Sequence, residues 1–466
     1  MDRTRDRAGT GRGRRAGVGV QHHGDPVPAQ RPIRLVAVAS HRLCDDRRDV
    51  GRPRGHLVLG VPGMGDQDHH PQAGWLQCAP RRCAVLPRTG LRGLRRHGRV
   101  ERHRAHLPYP NLRPLVAIAS DTAQKGRLVK VAAMFGDRKA GVVDKPDPKS
   151  AGNYVVVKVH VVPMCTEYHH FDGGGKGESF GHEAVGEVVD VAQDGEAKIG
   201  DRVVVQPQDP CGQCYLCLDG DYIHCHTRRR IGKDSIPEGA RGRYAQYTVQ
   251  QDWLLSPVPD ELSYEHAGMA VCGLGPTFGA MEAMSVGAYD TVLVTGLGPV
   301  GLGGVINGVF RGARVIGVES HPFRANLAKE LGADAVVNPK DEDALDQIRD
   351  LTDGAGVDKA VDCSGASAAH RLMIDSLRRR GQAGFIGQGG DFPLGCSRDM
   401  ISKGIILRGC WHYNLGLYPN LVRTIAKVGD QIDKFITHRF PLTQVQDAWE
   451  TQATGNCGKV ILYPWQ

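Results

Sequence analysis

From Leu128 onward the apolar and polar positions follow two rhythms. YVVVKVHVV (154–162), EAVGEVVDVA (183–192) and DRVVVQP (201–207) are runs rich in β-branched residues, punctuated by Gly and Asp, and predict strands. Past about Pro276 short apolar strands alternate with helical patterns. TVLVTG is followed by GPVGLGGVINGVFRGA, ARVIGVE by HPFRANLAKELGA, and VDKAVDCSG by AAHRLMIDSLRRRG and QAGFIGQG. Strand, helix, strand with short links predicts a parallel sheet wrapped by helices. Beyond about Gly409 the pattern predicts helices over LYPNLVRTIAKVGD and VQDAWETQ and a last strand over KVILYP.

Composition changes the picture at the other end. Up to Gln124 the chain holds 23 Arg, no Lys, nine His and 10 acidic residues, whereas the first Lys is Lys125. The net charge of +8 therefore comes from the first quarter, and the remainder is mildly acidic. Apolar periodicity there is poor, and Cys44, Cys78 and Cys83 lack metal-ligand spacing. Arg without Lys is what a GC-rich gene yields when read upstream of its true start, so residues 1–124 are unassigned, as a start placed too early or a disordered tail. A nucleic-acid arm is the competing reading; no nucleic-acid partner is expected. No apolar run reaches membrane-spanning length and no signal-peptide core opens the chain, which predicts a soluble, cytoplasmic protein without a membrane partner.

Two motifs carry chemistry. In DPCGQCYLCLDGDYIHC, Cys211, Cys214, Cys217 and Cys225 stand at the spacing of a four-thiolate zinc site. Four protein ligands leave no open position, so this metal is expected to be structural. In VLVTGLGPVGLGG, Gly296, Gly298 and Gly301 form G-x-G-x-x-G between a strand and a helix. They predict a tight turn, close approach to a pyrophosphate, and helix–strand packing. Glu319, ending the next strand, predicts hydrogen bonds to ribose hydroxyls and NAD over NADP; Arg324, five residues on, would soften that preference.

With GHEAVG at 181, GDRV at 200, the cysteine lobe, CGLGPTFG at 272 and GLGPVG at 296, the chain from about Leu128 resembles the medium-chain zinc-dependent alcohol dehydrogenases. The resemblance implies an α/β protein with a β-rich GroES-like catalytic domain (128–274 and 411–466) and a Rossmann, doubly wound cofactor domain (275–410). It implies a second zinc, hence two per chain, held by Cys165, His182 and Cys272. In such a site zinc lowers an alcohol's pKa and hydride passes to the nicotinamide. The family reads Cys, any residue, Ser or Thr, Asp, any, His, where this chain reads CTEYHH. With one residue deleted, Thr166, Glu167 and His169 take those roles. Without a gap Glu167 and Tyr168 fall on the hydroxyl and acid positions and His170 on the His. The deletion keeps both hydroxyl and acid and is preferred, giving a proton route through Thr166 and His169.

By the same resemblance Glu183 would tune the metal from behind and Lys459 would contact the pyrophosphate. Trp411, His412 and Tyr413 fall near the nicotinamide, as pocket or domain-junction residues. Cys363, Cys396, Cys410 and Cys457 read as packing residues. The implied reaction is hydride exchange between an alcohol, or its aldehyde or ketone, and NAD, by a homodimer or homotetramer. A Cys third ligand leans towards the simple-alcohol branch. The alternatives are a polyol or threonine-type dehydrogenase and a nucleotide-binding relative without catalytic zinc.

Overall fold

The computed structural model describes residues 128–227 and 242–466. The basic first quarter, and the readings made of it, lie outside the described residues.

The valine-rich runs form the sheet they predict. Tyr154–Pro163 lies at its centre, antiparallel to Ala184–Asp190, Tyr247–Gln251 and Lys459–Tyr463. Arg202–Val205 and Leu255–Pro257 extend one edge, and Ile436–Pro441 the other. Val157, Val159, Val205 and Leu462 have no exposed surface and pack around Trp449. Each such aliphatic side chain contributes about 1.5–3 kcal/mol by leaving water. A small antiparallel sheet, Leu128–Gly136 with Lys139–Pro146 and Lys176–Gly177, flanks it.

The alternating half forms a six-stranded, wholly parallel sheet. Its order is Ala335–Val337, Arg314–Val318, Thr291–Thr295, Val357–Asp362, Leu377–Phe385 and Ile406–Gly409. Successive strand residues face opposite layers. Val292 and Val294 join a core with Leu302 and Ile306 of the helix Pro299–Phe310, while Leu293 joins Ile348, Met373 and Ile374 on the other side. Helices therefore cover both faces, as a doubly wound sheet requires. One predicted helix is shorter than its pattern. It ends at Ser376, and Leu377 turns extended at ψ 132°, so the LRRRG segment opens the next strand. Parallel pairing of Leu377 with Val357 ends the helix, and the three arginines that follow fall in the register shift before pairing resumes at Gln382 with Lys359.

Glycine governs how closely the two halves approach. A Cβ on Gly303 would lie 1.8 Å from the carbonyl oxygen of Gly273, the residue after Cys272. Gly303→Ala is therefore expected to lower stability by about 1–3 kcal/mol through overpacking, read as a shift of the denaturant midpoint.

The chain leaves the parallel sheet through Cys410–Leu415, and this segment is fastened to the cysteine lobe. Asn414 Nδ2 donates to Asp219 O at 2.7 Å and Asp221 Oδ1 at 3.0 Å, and Leu415 N donates to Gly220 O at 3.0 Å. Tyr413 OH accepts from Gln206 Nε2 at 2.9 Å, and Tyr222 OH, three residues before Cys225, donates to Gln206 Oε1.

Candidate active site

The four lobe cysteines converge. Their sulfurs all lie within 4.8 Å of one another, with Cys214–Cys217 at 3.5 Å and Cys211–Cys217 and Cys214–Cys225 at 3.9 Å. Four sulfurs each about 2.3 Å from one ion lie about 3.8 Å apart, so the set fits tetrahedral zinc. Backbone amides of Gln213 and Cys214 point at the Cys211 sulfur, at 3.4 and 3.3 Å, which favours thiolate.

A second set converges at the head of a cleft. Cys165 follows the central strand, His182 precedes the strand Ala184–Asp190, and Cys272 stands on a π-helical turn, Met269–Gly273. Such turns are rare and frequent at functional sites. The ligand atoms of Cys165, His182, Cys272 and Glu183 lie within 4.8 Å of one another, and His182 Nε2 is 3.0 Å from Cys272 Sγ.

Glu167 orients the imidazole. Its Oε1 lies 2.7 Å from His182 Nδ1, which donates because a carboxylate only accepts, and Nε2 is thereby aimed at the sulfurs. Oε2 accepts from Tyr244 OH at 2.9 Å. Burial would raise the Glu167 carboxyl, but the His182 charge prevails and brings it down to about 2. Burial opposes charge on His182 too, yet Glu167 and Cys165 hold it well above the usual histidine range. The Cys165 thiol is held well below its ordinary value by its hydrogen bond with Cys272 and by His182. That bond, with burial, pushes Cys272 up. Two sulfurs and an imidazole nitrogen converging in this way suit a divalent soft or borderline ion, whose binding displaces the protons of Cys272 and His182.

Beneath this set Glu183 and Lys459 form a fully buried ion pair, Nζ to Oε1 at 2.8 Å and to Oε2 at 3.0 Å. Glu183 Oε2 also accepts from Cys272 N at 3.2 Å. Burial raises Glu183 to about 7 although Lys459 pulls the other way.

The cleft, about 1240 Å³, runs from these ligands to the glycine loop and Glu319. Gly296 takes φ +79°, and a Cβ there would sit 2.5 Å from the Ser364 Cβ. A Cβ on Gly301 would lie 2.0 Å from Gly296 O. At Gly298 a Cβ would meet nothing within 4 Å, so the space over the helix N-terminus is open to a phosphate. Glu319 is fixed by Leu297 N at 2.9 Å on Oε2, and by Ser320 N and His321 N on Oε1, both at 2.8 Å. The open cradle and the fixed carboxylate fit a dinucleotide.

Comparison with known proteins identifies both domains. The family model of the alcohol dehydrogenase GroES-like domain matches residues 119–260, and that of the zinc-binding dehydrogenase matches residues 299–427. The L-threonine 3-dehydrogenase of Pyrococcus furiosus is 31% identical over 353 residues, 72% of this chain and 98% of that protein. This chain belongs to the medium-chain zinc-dependent alcohol dehydrogenase family. The sorbitol dehydrogenase of Bacillus subtilis is 29% identical over 359 residues, 72% of this chain and 97% of that protein. An alcohol dehydrogenase structure from Thermotoga maritima superposes with a TM-score of 0.64 at 25% identity, covering 72% of this chain and all of that one. The family's general activity, oxidoreduction of small molecules, extends to this member. No helix among the described residues is long and apolar enough to cross a membrane.

Thr166 and His169, expected on a proton route, are exposed and line the cleft. His170 lines it too, with Nε2 3.2 Å from Lys176 O. Arg324 lines the cleft near Glu319, with its Nε buried and unpaired among the described residues. Lys459 requires correction. It is wholly buried on Glu183, so it does not reach a pyrophosphate. Cys396 is exposed rather than a packing residue, and Cys363 lines the cleft. Trp411 and His412 line the cleft, while Tyr413 is buried at the lobe contact. Burial, helped by the His182 charge, pushes His412 down to about 3, so its ring is neutral. Sequence reasoning missed Tyr244 and Gln208. Nothing around either residue marks it; each reaches the site through a fold contact.

Proposed function

We propose that this protein oxidises an alcohol, or reduces the matching carbonyl compound, with NAD as the hydride partner and one zinc ion in each cysteine-containing cluster. The observation that carries the reading is the convergence of Cys165, His182 and Cys272 at one end of a cleft whose other end is the glycine loop and Glu319. Zinc bound there supplies a Lewis acid for the alcohol oxygen, and NAD supplies the hydride acceptor. The chain's own groups do the rest. Glu167 holds His182 in one tautomer, and Glu183 fixes the amide of Cys272. Thr166 and His169, exposed along the cleft, offer the leaving proton a way to solvent. The likeness to proteins named sorbitol and L-threonine dehydrogenases favours the polyol or threonine-type alternative over the simple-alcohol branch.

The test is zinc content together with NAD reduction by a panel of alcohols. About two zincs per chain and turnover would support the reading; zinc only in the four-cysteine lobe and no turnover would end it. Glu319→Gln keeps the acceptor oxygen but removes the charge that repels a 2′-phosphate. It is expected to reduce the ratio of kcat/KM with NAD to that with NADP by about 10-fold or more.

A further inference from the structure

Tyr244 belongs to a segment that supplies none of the cluster's ligand atoms, yet its side chain reaches the segments of both Cys165 and His182. It is 1% exposed. Its OH accepts from Cys165 N at 3.3 Å and lies 2.9 Å from Glu167 Oε2. A carboxylate only accepts, so the single hydroxyl proton is committed to Glu167. The other oxygen of Glu167 receives His182 Nδ1. The backbone of Cys165 and the ring of His182 are thus tied together through one hydroxyl and one carboxylate.

The phenol ring is itself held from several sides. A Cβ on Gly181, the residue before His182, would lie 2.2 Å from Tyr244 Cδ1, so the ring rests directly against that backbone. Arg243 N and Tyr244 N both donate to Phe180 O, at 2.7 and 3.1 Å. Trp449 packs on the ring with centroids 5.9 Å apart. Glu167, by contrast, stands where the family reads Asp, and Glu carries one more rotatable bond. A longer acid held by the imidazole alone keeps more rotamer freedom to lose. The rigid Tyr244 hydroxyl supplies a second hold, with one carboxylate oxygen on His182 and the other on Tyr244.

We propose that Tyr244 is a positioning residue whose hydroxyl, acting chiefly through Glu167, sets the geometry with which His182 and Cys165 hold the metal, so that Glu167 and Tyr244 together replace the family's shorter acid. The inference rests on the zinc-binding reading above.

The experiment follows zinc release from the zinc-loaded full chain to an excess of the chelating dye 4-(2-pyridylazo)resorcinol, with NADH binding measured beside it. Tyr244→Phe removes the hydroxyl and keeps the ring that packs on Trp449 and Gly181. One of the two zincs is expected to leave about 10–100-fold faster than in the wild type and the other at the wild-type rate. The kcat/KM for an alcohol should fall about 10-fold or more, while the NADH dissociation constant stays within about 2-fold. Because the hydroxyl acts through Glu167, adding Tyr244→Phe to Glu167→Gln should speed release by no more than about 3-fold over Glu167→Gln alone. If Tyr244→Phe does not fold, Glu167→Asp tests the pair from the other side. An acid one methylene shorter cannot meet both His182 and Tyr244, and release should quicken by about 10-fold. Wild-type release in Tyr244→Phe or in Glu167→Asp, faster release of both zincs together, or effects that multiply in the double variant would overturn the inference and leave the alcohol-oxidising reading standing. A wild type that holds a single zinc, in the four-cysteine lobe, would overturn both.

Discussion

His182→Ala is expected to lower kcat/KM for any alcohol substrate by at least about 1000-fold, and to bring the zinc content from about two per chain to about one. The imidazole is one of the three donors proposed for the metal, and its loss leaves two sulfurs and the Glu183 carboxylate in the cluster among the described residues. It also strands Glu167, whose low pKa depends on the His182 charge. The four-cysteine lobe is built from a separate, local stretch of chain and should keep its metal. Elemental analysis and steady-state kinetics on the same preparation read both effects. Retention of two zincs, or of activity within about 10-fold, would remove His182 from the ligand set.

The second large effect concerns stability. Lys459→Met leaves Glu183 buried without its counter-charge, and breaking such a pair costs about 3–5 kcal/mol. Burial already raises Glu183 to about 7, and without the ammonium it rises further. A carboxyl whose pKa is raised on folding favours the folded state below its unfolded value. That advantage is lost as pH rises through the folded value. The unfolded chains titrate alike, so the deficit of Lys459→Met relative to the wild type is expected to be smallest below pH about 7 and to grow as pH rises above it, through the variant's still higher folded value. Combining it with Glu183→Gln removes the buried charge and should restore part of the loss at neutral pH. Denaturant midpoints across the pH series measure both, and a pH-independent deficit would contradict the account.

Much of the site was legible because its pieces are local. The four cysteines span fifteen positions, and the glycine loop announces itself by the strand before it and the helix after it. The T-E-x-H order in CTEYHH pointed to Glu167 as the acid, and Glu167 is the carboxylate on His182. What escaped is contact between distant segments. The partner of Lys459 stands 276 positions away, so the chain gives no sign that this lysine turns inward. The left-handed backbone at Gln208 and His412 is equally silent, because neither is Gly or Asn and both are held by tertiary hydrogen bonds. The helix ending at Ser376 shows the same limit, since its terminus is set by a neighbouring strand rather than by a capping signal.

The strand Lys459–Tyr463 fits between Ile436–Pro441 and Tyr154–Pro163, and brings Lys459 under Glu183. During synthesis the parallel sheet can form as soon as Gly409 has emerged, since all six of its strands lie between Thr291 and that residue. The buried ion pair cannot be completed then. Glu183, which holds the amide of Cys272, stays without its counter-charge until the last strand has been made. A nascent chain stalled before Lys459 would thus carry a complete parallel sheet beside an uncompensated buried carboxyl.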